Sequence, residues 1–215
     1  MSALSLAPRA LYEEVAELLR QRIFSRELEP GSWIDELKIA HDYGISRTPM
    51  REALKVLATE GLVTMKVRRG AYVTEVSERD LADVYHLLSL LESDAAGVVA
   101  QRADDAQMDE LKALHQELED AARPEQRDRE RFFEINERFH MRLLDIADNR
   151  WRNQMVADLR KVMKLNRHNS LLKTGRIAES LSEHRAIMAA LQARDPQAST
   201  RRMQEHFANG LEAAT

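Results

Sequence analysis

Apolar positions recur at three- and four-residue intervals through most of the chain. Leu11, Val15, Leu18, Leu19 and Ile23 keep this spacing and predict a first helix over residues 9–25, stopped by the turn Glu29-Pro30-Gly31. Asp35 is placed to cap a short helix over 36–42 that ends at Gly44, and Ser46 to cap a third from Arg47 to about Glu60. Pro49 falls in the first turn of that helix, where its missing N–H costs nothing. The runs LVTMKV and AYVTEV flank Arg68-Arg69-Gly70 and predict two strands around a tight loop.

Beyond Val76 the pattern changes to long amphipathic helices over roughly 78–102, 105–121, 128–147, 150–168, 177–193 and 196–212. The breaks between them are short and carry Asp104-Asp105, Pro124, Asp148-Asn149, Lys173-Thr174-Gly175 and Asp195-Pro196. The expected fold is mainly α, with an amino-terminal winged helix-turn-helix over residues 1–76 and an all-helical bundle of about six helices over 77–215.

Composition narrows the function. Zero Cys excludes disulfide scaffolds, Cys-ligated zinc and thiol catalysis. No run of 18 apolar residues and no apolar signal core is visible, so a cytoplasmic protein without a membrane span is expected. The net charge of -4 argues against a nucleic-acid partner only as an average. Residues 1–76 hold 11 cations and 11 anions, while from Arg47 to Arg69 six cations face only Glu52 and Glu60.

In a helix-turn-helix the second helix enters the DNA major groove with its amino-terminal residues forward. Arg47, Thr48 and Arg51 occupy that leading turn. An arginine there can offer its fork to guanine O6 and N7, and Ser46 and Thr48 can donate to phosphate. Arg68, Arg69 and Gly70 would form a basic wing. The alternative is an ordinary solvated helix face.

Four isolated histidines, His41 in the first region and His86, His115 and His168 in the second, read as surface residues. His140, His184 and His206 lie beside apolar positions on three different helices, and Asn136 stands one turn before His140. They fit either satisfied core histidines or the ligands of a divalent ion. A metal-dependent hydrolase would need a general base, and Glu183 and Glu205 point about 100° away from their neighbouring histidines on the helix.

The segment PGSWIDELKIAHDYGISRTPMREALKVLATEGLVTMKVRRGAYV resembles the winged helix of the GntR family of bacterial transcription regulators, and NERFHMRLLDIADN, SLSEHRAIMAALQARD and MQEHF resemble the FCD ligand-binding domain of its FadR-type branch. The resemblance implies a homodimeric regulator, a repressor, that binds a palindromic operator in double-stranded DNA through Ser46, Arg47, Thr48, Arg51, Arg68, Arg69 and Gly70. It implies a divalent metal at Asn136, His140, His184 and His206, with zinc first and nickel, manganese, cobalt or iron as alternatives. A small carboxylate effector would meet Arg167. Three positions depart from the family pattern. Leu37 replaces a basic DNA-contacting residue, Asn136 an aspartate ligand, and Leu88 an arginine that points into the effector cavity.

Overall fold

In the computed structural model, residues 11–123, 128–172 and 175–214 are described, with the backbone alone for 166–172. The expected breaks at Pro124 and Lys173-Thr174 lie outside the described residues, as do residues 9 and 10 of the first helix. Each remaining apolar stripe forms one helix. The contacts divide the chain into two compact units, Met1–Ser77 and Glu78–Thr215.

The first unit contains α1 (Leu11–Phe24), β1 (Trp33–Ile34), α2 (Glu36–Asp42), α3 (Arg47–Thr59), β2 (Val63–Lys66) and β3 (Gly70–Val73). The sheet is antiparallel in the order β1-β3-β2, with Val63 opposite Val73 and Trp33 opposite Tyr72. A two-residue strand has no period to read, which is why β1 is absent from the sequence expectation. The core is built from Val15, Leu19 and Ile23 of α1 against Met50, Leu54 and Leu57 of α3. Arg20 then ties α1 to the end of α3 through two bonds of 3.0 Å to Glu60.

Asp35 caps α2 as expected, accepting from the backbone N–H groups of Leu37 and Lys38. Ser46 does occupy the N-cap position of α3, but its side chain makes no capping bond. The hairpin is shorter than the sequence suggests and turns through Arg68 at φ +60° and Gly70 at φ +91°. A Cβ on Gly70 would come within 3.0 Å of the Trp33 indole nitrogen, so this position excludes a side chain on two counts.

The second unit has six helices among the described residues: α4 (Glu78–Arg102), α5 (Asp105–Ala121), α6 (Arg129–Ile146), α7 (Arg150–Leu172), α8 (Arg176–Gln192) and α9 (Pro196–Ala214). Asp104 and Gln107 form a reciprocal capping box at α5, and Asp128 caps α6. Contacts of α4 with α9 are the most extensive. There Gly97 of α4 stands against Thr200 of α9, and Tyr85 of α4 against Gly210 of α9. No described helix is long and apolar enough to cross a membrane.

At Gly97 the seam has no room for a side chain, for a Cβ there would stand 2.7 Å from Thr200 Oγ1. Gly97→Val is therefore expected to destabilise the second unit by about 1–3 kcal/mol through overpacking, against a smaller gain in helix propensity. Denaturant unfolding of the variant checks this, and an unchanged midpoint would show that the seam can open freely.

Candidate functional site

On α3, Met50, Ala53, Leu54 and Leu57 face inward, which turns Arg47, Thr48, Arg51 and Lys55 to solvent. Ser46, Arg68 and Arg69 are exposed as well. The cations counted along the sequence thus share the outward surfaces of α3 and of the hairpin. Arg51 keeps a long contact, 3.7 Å from Nε to Glu36, on a largely exposed side chain. Such a contact is worth little and is easily exchanged. On the hairpin, Lys66 Nζ lies 4.3 Å above the Tyr72 ring.

The three histidines converge. Their candidate donor atoms lie within 4.8 Å of one another, and ring centroids are separated by 5.3 Å (His140 to His184), 5.1 Å (His140 to His206) and 4.9 Å (His184 to His206). Two nitrogens on one zinc-like ion stand about 3–4 Å apart, so small side-chain rotations close the difference.

What surrounds the trio was not legible from spacing. His140 Nδ1 lies 2.7 Å from Glu92, which has no exposure at all. Glu92 in turn accepts two bonds from Arg160, at 2.8 and 2.7 Å. The arrangement is repeated at His206, whose Nδ1 lies 2.6 Å from Glu183, itself gripped by Arg176 at 2.9 and 3.0 Å. Glu183 does point away from its neighbour His184, but it reaches His206 across the α8–α9 contact. Both carboxylates are therefore committed to a histidine and an arginine rather than free to act as a general base.

This pattern leaves the opposite nitrogens inward. His140 Nε2, both nitrogens of His184 and the Asn136 amide oxygen are buried without a hydrogen-bond partner. Buried polar atoms are nearly always satisfied, and an unpartnered lone pair on each of His140, His184 and Asn136 fits a cation. The donor set of three imidazoles and an amide oxygen suits a borderline divalent ion.

A cavity of about 80 Å³ that opens to solvent adjoins the trio. Asn136, His140, Arg160, Arg176, His206 and the rings of Tyr85 and Phe207 contribute to its wall. Leu88 does not; it is fully buried in the core. The cavity's cations are Arg160, Lys164 and Arg176, which the sequence reading overlooked. The side chain of Arg167 lies outside the described residues, and so does that of His168. Of the histidines set aside, His41 and His86 are exposed, whereas His115 is half-buried with its Nε2 unpaired. The expectation of a solvated or hydrogen-bonded surface His115 is corrected accordingly, for the ring is half-covered and its Nε2 makes no hydrogen bond.

Burial raises the Glu92 carboxyl, but Arg160 and His140 outweigh it and hold the group at about 2. Glu183 is held at about 2 against its own burial by His206 and Arg176. His140 is pushed down to about 4 by burial and by Arg160, despite Glu92. Burial also depresses His184, well below the usual range.

Comparison with known proteins gives the same two regions. The family described as bacterial regulatory proteins, gntR family, matches residues 11–73, and the FCD domain family matches residues 83–209. The HTH-type transcriptional regulator YdhC of Bacillus subtilis is 27% identical over 205 residues, covering 95% of this chain and 91% of its own. The HTH-type transcriptional repressor RspR of Escherichia coli is 28% identical over 196 residues, covering 91% and 85%. Among solved structures, E. coli McbR/YncC superposes with a TM-score of 0.79 at 22% identity over 96% of this chain and 98% of that one.

The depressed groups set a sign for pH dependence. As pH falls through the ordinary histidine value of 6.5, the unfolded chain takes up protons that His140 and His184 refuse in the fold. Below 4.5 the unfolded carboxylates do the same relative to Glu92 and Glu183. Stability is thus complete above about pH 6.5 and declines toward pH 4 and below. Urea unfolding of chelator-treated protein between pH 7.5 and 4 is expected to show the decline, and a flat profile would contradict the burial of these groups.

Proposed function

Because this chain belongs to the gntR family of bacterial regulatory proteins, with an FCD domain following the winged helix, we propose that it is a homodimeric cytoplasmic repressor whose operator affinity is set by a small organic acid. The families and relatives that it matches are DNA-binding transcription regulators, not enzymes. In this reading residues 1–76 form the DNA-reading domain, and residues 77–215 bind effector and dimerise.

One observation carries the DNA contact: the leading turn of α3 presents Arg47, Thr48 and Arg51 to solvent while its other face fills the core. Arg51 and Arg47 would approach base edges, Ser46 and Thr48 phosphates, and the Arg68-Arg69-Gly70 turn the neighbouring backbone or minor groove. A single winged helix offers few base contacts, and two copies on a palindrome multiply them. For the dimer, α4 and α7 pack together and expose Leu87, Leu90, Trp151 and Met155 around the Asp94–Arg152 ion pair. That apolar face would meet its twin.

In the second unit, a divalent ion would be held by His140, His184 and His206 with Asn136 as a further donor, zinc first, then nickel, manganese, cobalt or iron. When bound it supplies a Lewis-acidic centre at the wall of the cavity. Arg160 and Arg176 line that wall and orient the carboxylates behind two of the ligands. The effector would lie in this cavity, with Arg167 as the expected further contact. A metal-responsive regulator, with the ion itself as signal, is the second reading, favoured by the unpaired inward nitrogens.

Titration of pure protein into labelled duplex is expected to give a salt-sensitive, sequence-dependent shift, and Arg51→Ala to weaken it by about 1–3 kcal/mol while relaxing preference at one base pair. A variant that binds every sequence as before would remove Arg51 from the base-reading set. Asn136→Asp is expected to tighten zinc binding by at least the ~10-fold that even outer partners of a metal ligand are worth. Untagged protein that holds no metal, and whose operator affinity and melting are untouched by chelator, would end the metal assignment.

A further inference from the structure

The first turn of α2 is fixed by Asp35, whose carboxylate accepts from Leu37 and Lys38 at 3.1 and 3.0 Å. Ile39, about 200° round the helix from Leu37, is buried, and Leu37 itself is 56% exposed. Single exposed leucines are ordinary. This one has particular neighbours. Glu36 stands 3.7 Å from Arg51, so the start of α2 adjoins the outward surface of α3 on which Arg47, Thr48, Arg51 and Lys55 are exposed. A rigidly capped apolar side chain beside a cationic helix surface matches a partner that is anionic yet shows an isolated apolar group.

We propose that Leu37 is a specificity-determining residue that packs on the C5-methyl group of a thymine, beside the base pair approached by Arg51. The thymine methyl is the apolar group displayed in the major groove, and no other base offers one. A leucine has no donor or acceptor for a base edge or a phosphate, so its contribution is burial of that methyl. One exposed leucine is too small a patch for a protein partner, whereas it fits a methyl group in size. The proposal rests on the reading of α3 as the DNA-contacting helix and adds a contact from a different helix.

The test begins with duplexes selected by the full-length protein from a random-sequence pool. Each thymine of the selected site is then replaced in turn by deoxyuridine, which removes the methyl and changes no hydrogen-bonding group. One position per half-site is expected to lose about fourfold in affinity, the factor for burying one methyl group. That sensitivity should vanish in Leu37→Ala and persist in Leu37→Met. It should also persist in Thr48→Ser, which removes the exposed methyl on the leading turn of α3. Affinity unchanged at every deoxyuridine position overturns the contact, as does sensitivity that survives Leu37→Ala. A pool that yields no preferred sequence overturns the reading of α3 itself, and the leucine contact with it.

Discussion

Glu92 is an ionised carboxylate with no route to water, and the geometry of the second unit follows from how it is satisfied. Burying such a charge costs several kcal/mol unless opposite charge and hydrogen bonds surround it. Arg160 supplies both from α7 and His140 adds a third bond from α6, so α4, α6 and α7 are fixed by one group. Removing Arg160 would strand a buried charge, a loss of about 3–5 kcal/mol. The same constraint sets the chemistry of His140. With Nδ1 directed at a carboxylate, that nitrogen carries the proton, and the lone pair on Nε2 faces inward. Glu183 and Arg176 impose this on His206. Two inward lone pairs beside the unpaired nitrogens of His184 make a site that, under the proposed reading, a cation would satisfy.

The helices were legible because their apolar stripes are long and their ends are marked by Asp, Gly and Pro. Histidines beside apolar positions could be read as inward, and all three are buried. The carboxylate relays could not be read, because they join helices distant in sequence, residues 92 with 140 and 160, and 183 with 206. A weak signal for Glu92 did exist. It falls four residues after Leu88 and three before Ala95, in the middle of the stripe that α4 buries. A lone charge at a core position must have a partner, although spacing does not say which. For Ser46 the reverse holds, for a residue type suited to capping sits at the right position without making the bond.

In the first unit, averaging concealed the useful feature. Eleven cations against eleven anions describe a neutral segment, yet burial sorts them. The inward face of α3 is wholly apolar, which leaves its cations on the opposite side. Two anions touch them, Glu52 at 2.8 Å from Lys55 and Glu36 at 3.7 Å from Arg51, both in exposed pairs weak enough to exchange for a phosphate or a base. Neutrality of the segment and cationic character of one surface therefore coexist, and it is the surface that an operator would meet.

The cavity shows a related balance with a different consequence. Each cation in its wall already faces a carboxylate: Arg160 faces Glu92, Arg176 faces Glu183, and Lys164 lies 2.7 Å from Glu137. An incoming acid would find arginines whose charge is spent on buried partners, unlike the free clamp that the family's arginine at position 88 implies. Displacing Glu92 from Arg160 would free that guanidinium only by uncovering a buried carboxylate, which costs more than the new pair returns. Under the proposed reading, net attraction for an anion must then come from the ion held by His140, His184 and His206. Effector affinity is in this way tied to metal occupancy, and the neutral Asn136, which leaves more of the ion's charge uncancelled than an aspartate would, strengthens that tie.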